Sequence, residues 1–232
     1  YLISKNCVNK NTQKHYSEKL LLMNYLPMVY PKPYTKKKLS EDELNKKNIY
    51  SCPQTLFKIH PDFDQIIFDI LEKDKKGIFY LIKDSNKVWY KKLIKRLSKN
   101  KKYDSKKIIF MDPLNYEDYL LHLGRSSVLL DPLYYGAGNS FFESMLFGTP
   151  TITFPTDYIK SRLVLGAYKQ MEIKNAPIAT SIQNYIDLAV KYANRDDIRV
   201  LKNSYKTAAE KKLFNTKKAG EEFNKIISNL FN

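Results

Sequence analysis

The sequence predicts an α/β fold, a doubly wound, Rossmann-like parallel sheet with helices on both faces. From residue 48 onward, short apolar runs alternate regularly with segments whose apolar residues recur at helical spacing. This alternation is typical of βαβ units, because parallel strands are joined by crossover helices. A glycine-bearing turn also directly follows one of the apolar runs, and ligands bind such sheets at the carboxyl ends of the strands.

The first predicted unit is a strand at residues 49–51 followed by a helix at residues 61–73, where Phe63, Ile66 and Ile70 share one face. The same two patterns then repeat along the chain. The remaining predicted strands are residues 77–82, 108–111, 128–130 and 151–154. The remaining predicted helices are residues 86–98, 115–123, 140–147, 159–170, 181–193, 196–212 and 216–231.

Two of these helices have recognisable ends. The helix at residues 115–123 begins at Asn115, a favoured N-cap residue, and Glu117 and Asp118 suit the positive end of its dipole. The helix at residues 140–147 is followed by Gly-Thr-Pro, and glycine and proline commonly follow the end of a helix. These end signals support the alternation of strands and helices.

Residues 1–47 have a different character. Residues 29–38 are rich in proline and lysine, which is typical of a connector, and residues 15–22 have a helix-like pattern with no sheet of their own. The first residue is Tyr1 rather than methionine. We interpret residues 1–47 as the tail of a preceding domain plus a linker, and residues 48–232 as one α/β domain.

The turn Gly-Ala-Gly-Asn at residues 136–139 is the strongest local indication of a ligand. Three of the seven glycines in the chain lie between residues 136 and 148. Glycine lets the backbone approach a ligand closely, and free N–H groups at a helix start attract anions, so the expected ligand is a diphosphate. The turn lacks the third glycine of the dinucleotide fingerprint and the Lys-Ser/Thr of a P-loop.

A purely structural alternative exists for the same stretch. Ser140 and Glu143 have the Ser-x-x-Glu spacing of a capping box, in which the serine caps the helix and the glutamate bonds back to the cap N–H. In that case neither side chain would be available to a ligand. The local sequence leaves both interpretations open.

The formal net charge of +16 raises the possibility of nucleic-acid binding. Lysine outnumbers arginine 35 to 5, although the guanidinium fork suits base and phosphate recognition better. Many lysines fall on faces where solvated helix surfaces are expected, as at residues 91–102. We therefore do not expect nucleic acid as the partner, but a basic nucleic-acid-binding α/β module without catalysis remains an alternative.

Composition also bears on metals, thiols and membranes. Cys7 and Cys52 show no metal or redox spacing, and His15, His60 and His122 are scattered, so no metal site is expected. No apolar run approaches the roughly 20 residues that cross a bilayer, and the first residues lack the pattern of a secretory leader, so none is expected. These observations predict a cytoplasmic protein with free thiols and no membrane partner.

Seven short pieces of the chain, taken in order, resemble one known family. They are HYSEKL at 15–20, CPQTLFKI at 52–59, KIIF at 107–110, LDPLYYGAGNS at 130–140, GTP at 148–150, KSR at 160–162 and LFNTK at 213–217. Their order and spacing resemble the catalytic region of O-GlcNAc transferase-like enzymes, glycosyltransferase family 41, in its C-terminal half. The form Gly-x-Gly-Asn-Ser is similar to that of the bacterial members.

The resemblance implies a GT-B fold, in which two Rossmann-like lobes hold a nucleotide sugar mainly through the C-terminal lobe. Residues 48–232 would be that C-terminal lobe, and residues 1–47 the tail of a truncated N-terminal lobe plus linker. Members of the family commonly carry tetratricopeptide repeats upstream. The resemblance also implies that this piece is inactive alone, because the other lobe would supply acceptor groups and a general base.

The same resemblance assigns the catalytic role to Lys58. A cation is needed at such a site because breaking the bond between sugar and phosphate builds negative charge on the departing diphosphate. The family implies that Gly136, Gly138, Asn139 and Ser140 hold the phosphates. With a fixed lysine in place, no metal or other cofactor is expected.

The resemblance also implies nucleoside contacts. Glu143 would bond the ribose hydroxyls, and the segment from Leu114 to His122 would cover the base, with Tyr119 and His122 at positions where the animal enzyme has other side chains. Gln54 is a further expected polar contact to the nucleotide or the sugar.

The resulting hypothesis is an inverting, metal-independent glycosyltransferase half that takes a UDP-sugar, with UDP-GlcNAc as donor and a protein Ser or Thr as acceptor. Relatives in the family use other donors and acceptors, so both are implied by the family only. The alternatives are the nucleic-acid-binding module described above and a GT-B sugar-nucleotide epimerase, which would need acidic and histidine groups in the cleft.

Overall fold

The computed structural model describes residues 1–40 and 48–231, which contain seven strands and eight α-helices. The strands are β1 (Leu2–Ser4), β2 (Leu21–Met23), β3 (Ile49–Cys52), β4 (Ile78–Ile82), β5 (Ile108–Met111), β6 (Val128–Leu130) and β7 (Thr151–Ile152). The helices are α1 (Asp62–Lys73), α2 (Val88–Leu97), α3 (Tyr116–Arg125), α4 (Asn139–Ser144), α5 (Leu163–Gln170), α6 (Ile182–Ala193), α7 (Ile198–Ala208) and α8 (Thr216–Phe231).

Strands β3 to β7 form one parallel sheet in the order β5-β4-β3-β6-β7. The chain adds β4 and β5 on one side of β3 and then crosses back to add β6 and β7 on the other side. The topological switch point therefore lies between β3 and β6, where Tyr50 pairs with Val128 and Ser51 with Leu129. Ligands of doubly wound sheets bind at such a point, beyond the carboxyl ends of the strands. The predicted fold class is confirmed.

The main core lies between this sheet and helices α1, α2 and α6. Tyr50, Phe63, Phe79 and Tyr185 are fully excluded from solvent there. Burying an apolar side chain of this size stabilises the fold by about 2 kcal/mol. The sequence pattern of apolar strands alternating with helices that have one apolar face thus produces a core between the sheet and the helices.

The predicted elements agree with the structure to within a few residues, with three informative differences. Helix α4 ends at Ser144, and residues 145–147 form turns before Gly148. The predicted helix at 159–170 is a 3-10 turn at Ile159–Ser161 followed by α5. The predicted helix at 196–212 is α7 followed by a π-helical turn at Ala209–Leu213. Periodicity does not distinguish these variants from a continuous α-helix.

The prediction of a helix-like segment without a sheet at residues 15–22 is wrong. β1 and β2 form a two-stranded parallel sheet, with Leu2 opposite Leu21. Ile3 and Met23 turn inward and are buried, whereas Leu22 is half exposed. The sequence does not distinguish strand from helix here, because the three consecutive leucines at residues 20–22 fit both equally well.

Residues 1–40 pack firmly against the rest of the chain. Arg162 is buried and donates hydrogen bonds from its guanidinium to the carbonyl oxygens of Cys7 and Thr156, at 2.6 and 2.7 Å. Glu222 of α8 accepts hydrogen bonds from the backbone N–H groups of Asn24 and Tyr25. The predicted boundary between residues 47 and 48 falls beside residues 41–47, which lie outside the described residues.

Both cysteines are free and buried, and burial raises the pKa of the Cys7 thiol to about 11. The thiols are therefore protonated and unreactive at neutral pH. Across residues 1–40 and 48–231, none of the helices combines the length and apolar character that a bilayer crossing needs.

Gly148 provides a test of the packing beneath the sheet. Its φ is +69°, and a Cβ there would lie 1.8 Å from the carbonyl oxygen of Lys202 on α7. We expect Gly148→Ala to lower the free energy of unfolding by at least about 2 kcal/mol, because both the left-handed backbone and the clash are unfavourable. Urea unfolding followed by circular dichroism measures the change.

Gly220 is the matched control, since a Cβ at this position in α8 meets no atom within 4 Å. Gly220→Ala should stabilise the protein by about 0.5–1 kcal/mol through helix propensity. Equal effects of the two substitutions would contradict the described packing at Gly148.

Candidate functional site

A cleft of about 570 Å³ opens at the carboxyl edge of β3 and β6, the switch point of the sheet. Four segments of the chain line it: the loop after β3, helix α3, the turn after β6 with the start of α4, and the segment that leads into α5. The lining residues are Pro53, Gln54, Thr55, Lys58, Tyr119, Tyr135, Gly136, Ala137, Gly138, Asn139, Ser140, Glu143, Ile159, Lys160 and Leu163. The structure therefore brings seven of the predicted contact residues and Lys58 together.

Lys58 is half-buried at the end of a 3-10 turn that follows β3. Its Nζ donates a hydrogen bond to Oε1 of Gln54 at 3.0 Å and lies 4.4 Å from the centroid of the Tyr135 ring. Burial lowers the pKa of Lys58, and the Asp131 carboxylate opposes that change. These contacts hold a partly dehydrated cation in a fixed position beside the glycine turn.

Asp131 organises the glycine turn from below. Its buried carboxylate accepts hydrogen bonds from the backbone N–H of Ala137 at 2.5 Å and from Oγ1 of Thr153 at 2.6 Å. Burial raises the pKa of Asp131 to about 7, although both hydrogen bonds and Lys58 lower it. A Cβ at Gly136 would lie 3.0 Å from both carboxylate oxygens, so the close approach requires glycine.

Gln54 and Ser140 join the two loops that meet at the switch point. Nε2 of Gln54 donates a hydrogen bond to Oγ of Ser140, and both side chains are buried. The neighbouring Asn139 is exposed and is the first residue of α4, with Gly138 as the N-cap. Gln54 thus contacts Lys58 on one side and the helix start on the other.

Glu143 of α4 also lines the cleft. Its Oε1 accepts a hydrogen bond from the Tyr30 hydroxyl at 2.9 Å, and its Oε2 accepts one from the Tyr119 hydroxyl at 3.1 Å. Tyr30 comes from the N-terminal segment and stacks on Phe142 with ring centroids 5.0 Å apart. Burial raises the pKa of the Tyr119 hydroxyl, and the Glu143 carboxylate raises it further.

The capping-box alternative is wrong. No side chain caps α4: Ser140 lies inside the helix and bonds to Gln54, and Glu143 points to two tyrosines rather than to a cap N–H. Ser140 and Glu143 therefore make hydrogen bonds to residues from other segments rather than to the helix start. Local sequence could not show this, because the partners come from residues 30, 54 and 119.

A smaller hollow of about 230 Å³ adjoins the cleft and contains Leu114, whose side chain is partly exposed. The two spaces share Gln54, Thr55 and Tyr119 as walls. The hollow also contains Lys83, whose Nζ pairs with Asp112 at 2.9 Å. Leu114 and Tyr119 thus line the same hollow, and their contact with a base stays a prediction.

The structure does not bring His122 to the cleft. Helix α3 runs away from the carboxyl edge, so His122 lies almost one turn further along than Tyr119. Its imidazole is buried, its Nε2 is 2.8 Å from Oγ of Ser51, and it packs edge-on against Tyr80. Burial, together with the nearby Arg125, lowers the pKa of His122 to about 4. The imidazole packs against Ser51 of β3 and Tyr80 of β4 instead of lining the cleft.

Three residues at the site were missed by the sequence reasoning. Asp131 could have been suspected, because it is a lone carboxylate directly after a buried strand. Tyr135 and Lys160 lie within the family pieces at 130–140 and 160–162, but neither was given a role there, since the chain contains 18 tyrosines and Lys160 is one lysine among many. Only the folded structure shows that both face the cleft.

In the described parts of the chain, no three side chains of the His, Cys, Asp or Glu type come together in a way that could hold a metal ion. The metal-independence of the site stays a prediction. The charged side chains that line the cleft are Lys58, Lys160 and Glu143.

The order of the sheet and the position of the cleft define the class of fold as a Rossmann-like α/β lobe. A sequence model of the family described as glycosyl transferase family 41 matches residues 35–223. The chain therefore belongs to glycosyl transferase family 41, and the resemblance seen in the sequence is confirmed. A comparison with curated proteins finds no sequence match.

Solved structures share the fold. An O-GlcNAc transferase mutant from Thermobaculum terrenum superposes with a TM-score of 0.84 at 15% identity, covering 97% of this chain and 44% of that chain. A complex of S. aureus TarM gives a TM-score of 0.65 at 15% identity, covering 100% of this chain and 43% of that one. Anabaena HepE gives 0.56 at 12% identity, covering 82% and 53%. The chain thus spans less than half the length of the first two.

The buried imidazole of His122 predicts an acid-sensitive fold. Its pKa is about 4 in the folded protein and about 6.5 in an unfolded chain, so the unfolded state binds more protons between these values. Stability from this residue is complete above pH 6.5 and is lost as the pH falls toward 4, by up to about 3 kcal/mol. Urea unfolding at pH 7, 5.5 and 4.5 measures this loss.

The matched variant is His122→Gln, whose amide can still bond Ser51 but does not titrate. The difference in unfolding free energy between wild type and variant should shrink, or reverse in sign, as the pH falls. A difference that is constant from pH 7 to 4.5 would contradict a buried neutral imidazole.

Asp131 gives a second prediction for this site. Asp131→Ala should destabilise the protein by roughly 1–3 kcal/mol, because the Ala137 N–H and the Thr153 hydroxyl lose their buried acceptor. Asp131→Asn keeps one oxygen acceptor and should cost less. Unfolding midpoints of the two variants, measured side by side, test whether Asp131→Ala is the less stable. An alanine variant as stable as wild type would contradict the prediction.

Proposed function

We propose that this chain is the donor-binding half of an inverting glycosyltransferase that transfers GlcNAc from UDP-GlcNAc to Ser or Thr hydroxyls of proteins. The observation that carries the proposal is Lys58, a half-buried cation held by Gln54 and Tyr135 beside the glycine turn at the switch point. A cation in this position suits a diphosphate that becomes more negative during the reaction.

The phosphates of the donor would lie between Lys58 and residues 136–140. At Gly138 a Cβ would meet only Leu163, at 3.8 Å, so a ligand can approach the backbone there, whereas Gly136 lets the turn close onto the Asp131 carboxylate. Ser140 and the exposed Asn139 offer polar side chains on the same wall. Gln54 would orient both Lys58 and Ser140, because it already bonds to each of them.

The nucleoside would occupy the other end, near Glu143, Tyr119 and Leu114. A carboxylate suits the ribose diol because each oxygen has more than one acceptor site, so Glu143 can accept from the sugar beside or in place of Tyr30 and Tyr119. The adjoining hollow at Leu114 would take the base. Uracil is the proposed base. The residues of this hollow would then decide which base is bound.

In the proposed reaction the acceptor hydroxyl attacks the anomeric carbon while the bond from that carbon to the phosphate oxygen breaks. Lys58 stabilises the negative charge that collects on the departing UDP, in place of a metal ion. An interaction of this kind contributes about 10²–10³ in rate. The general base that takes the hydroxyl proton, and the acceptor contacts, would come from the other lobe, so this chain alone would bind the donor without turning it over.

The comparisons support parts of this proposal. The Thermobaculum terrenum protein is described as an O-GlcNAc transferase, the TarM structure contains UDP, and the HepE structure contains UDP and glucose. A protein acceptor, a cytoplasmic location and upstream tetratricopeptide repeats are part of the proposal through the family resemblance. The two free thiols are compatible with a reducing compartment.

Calorimetric titration of the whole chain with UDP tests the site. We expect saturable binding by the wild type and an affinity about 10- to 100-fold lower for Lys58→Ala, because a charge-assisted contact to phosphate is lost. The matched control is Lys92→Ala, since Lys92 also lies over an aromatic ring, at 4.6 Å from the Trp89 centroid, but outside the cleft. This control should bind UDP as the wild type does.

GDP and a short DNA duplex are the comparison ligands. Tighter binding of GDP than of UDP would support the proposed position of the nucleotide site but would indicate a GDP-sugar as the donor. Salt-sensitive DNA binding that survives Lys58→Ala, without nucleotide binding, would overturn the proposal and favour the nucleic-acid-binding alternative.

A further inference from the structure

Lys160 is a second cation at the same cleft. It lies just before α5, outside the loops that follow β3 and β6, and its side chain lines the cleft. Its backbone is tied to the glycine turn, because the N–H of Gly136 donates a hydrogen bond to the Lys160 carbonyl oxygen at 2.9 Å. Lys160 is thus held against the segment that would contact the phosphates.

One aromatic ring connects the two lysines. The Nζ of Lys58 lies 4.4 Å and the Nζ of Lys160 5.9 Å from the centroid of Tyr135. Within the described residues, Lys160 Nζ has no carboxylate within ion-pair distance. Two like charges near one ring repel each other, and an anion between them would relieve that repulsion.

The backbone that presents this ring is strained. Tyr134 has a φ of +70°, a left-handed conformation that is unfavourable for a residue with a Cβ. Its hydroxyl donates a hydrogen bond to Asp62 at 2.7 Å, and its ring packs edge-on against His60 at 4.9 Å. These contacts hold the turn in the conformation that brings Tyr135 to the cleft.

We propose that Lys160 is a second diphosphate-binding residue, which with Lys58 and the Tyr135 ring forms a two-lysine clamp on the phosphate groups of the nucleotide. The inference rests on the proposed function. It adds a second binding residue and the requirement that the ligand has two negatively charged phosphates. Glu143 is the acidic side chain among the cleft-lining residues and is bonded by Tyr30 and Tyr119, so the two lysines outnumber the carboxylates of the lining. A ligand with one or no phosphate would use the clamp poorly.

The test compares UDP with uridine for wild type, Lys160→Ala, Lys160→Arg and Lys58→Ala, all in the whole chain. We expect Lys160→Ala to weaken UDP binding about 10-fold, since one charge contact to phosphate is worth about that factor, and to leave uridine binding unchanged. Lys160→Arg should recover most of the UDP affinity. GDP binding, where detectable, should fall by the same factor as UDP binding.

Two outcomes would overturn the inference. Unchanged UDP affinity in Lys160→Ala, with Lys58→Ala still defective, would remove Lys160 from the site while leaving the proposed function in place. Equal weakening of UDP and uridine would show that Lys160 shapes the cleft rather than binding phosphate. If the wild type itself binds no nucleotide, the proposed function fails first, and the clamp fails with it. Lys160 is exposed, so thermal melting should confirm that each variant is folded.

Discussion

The buried carboxylate of Asp131 is the interaction on which the site depends. It lies at the carboxyl end of β6 and binds the glycine turn through Ala137 and the end of β7 through Thr153. The carbonyl oxygen of the same residue accepts a hydrogen bond from the Tyr185 hydroxyl of α6. These donors and the nearby Lys58 compensate in part for the lost hydration of the ionised carboxylate, although burial still raises the pKa of Asp131 to about 7. One side chain therefore couples the sheet, the turn and the cation of the cleft.

The charged side chains of the cleft have different partners. Lys58 and Lys160 lie near the ring of Tyr135, next to the glycine turn, whereas Glu143 is bonded by two tyrosine hydroxyls. A nucleotide combines negative phosphates with hydroxyl donors on its ribose, so a cleft with both lysines and a carboxylate suits the two parts of such a ligand. Lysines elsewhere on the surface, such as Lys32, Lys73 and Lys102, pair with carboxylates.

The N-terminal segment is a structural part of the site rather than a loose connector. Tyr30 reaches Glu143 from that segment, and Arg162 ties Cys7 to the approach of α5. A nucleotide that bonds Glu143 would compete with or join the Tyr30 hydroxyl.

The sequence by itself determined the order of strands and helices, the parallel sheet and the glycine turn. These follow from periodicity and short-range chemistry in neighbouring residues, whereas the role of Lys58 stays a prediction from the family motifs. Only the tertiary structure decided that Glu143 faces Tyr30 and Tyr119 instead of capping α4, that His122 packs against Ser51, that Asp131 binds the glycine turn, and that Tyr135 and Lys160 line the cleft. The physical reason is that each of these depends on partners distant in the chain, and no local pattern records which side chains a crossover connection will bring together.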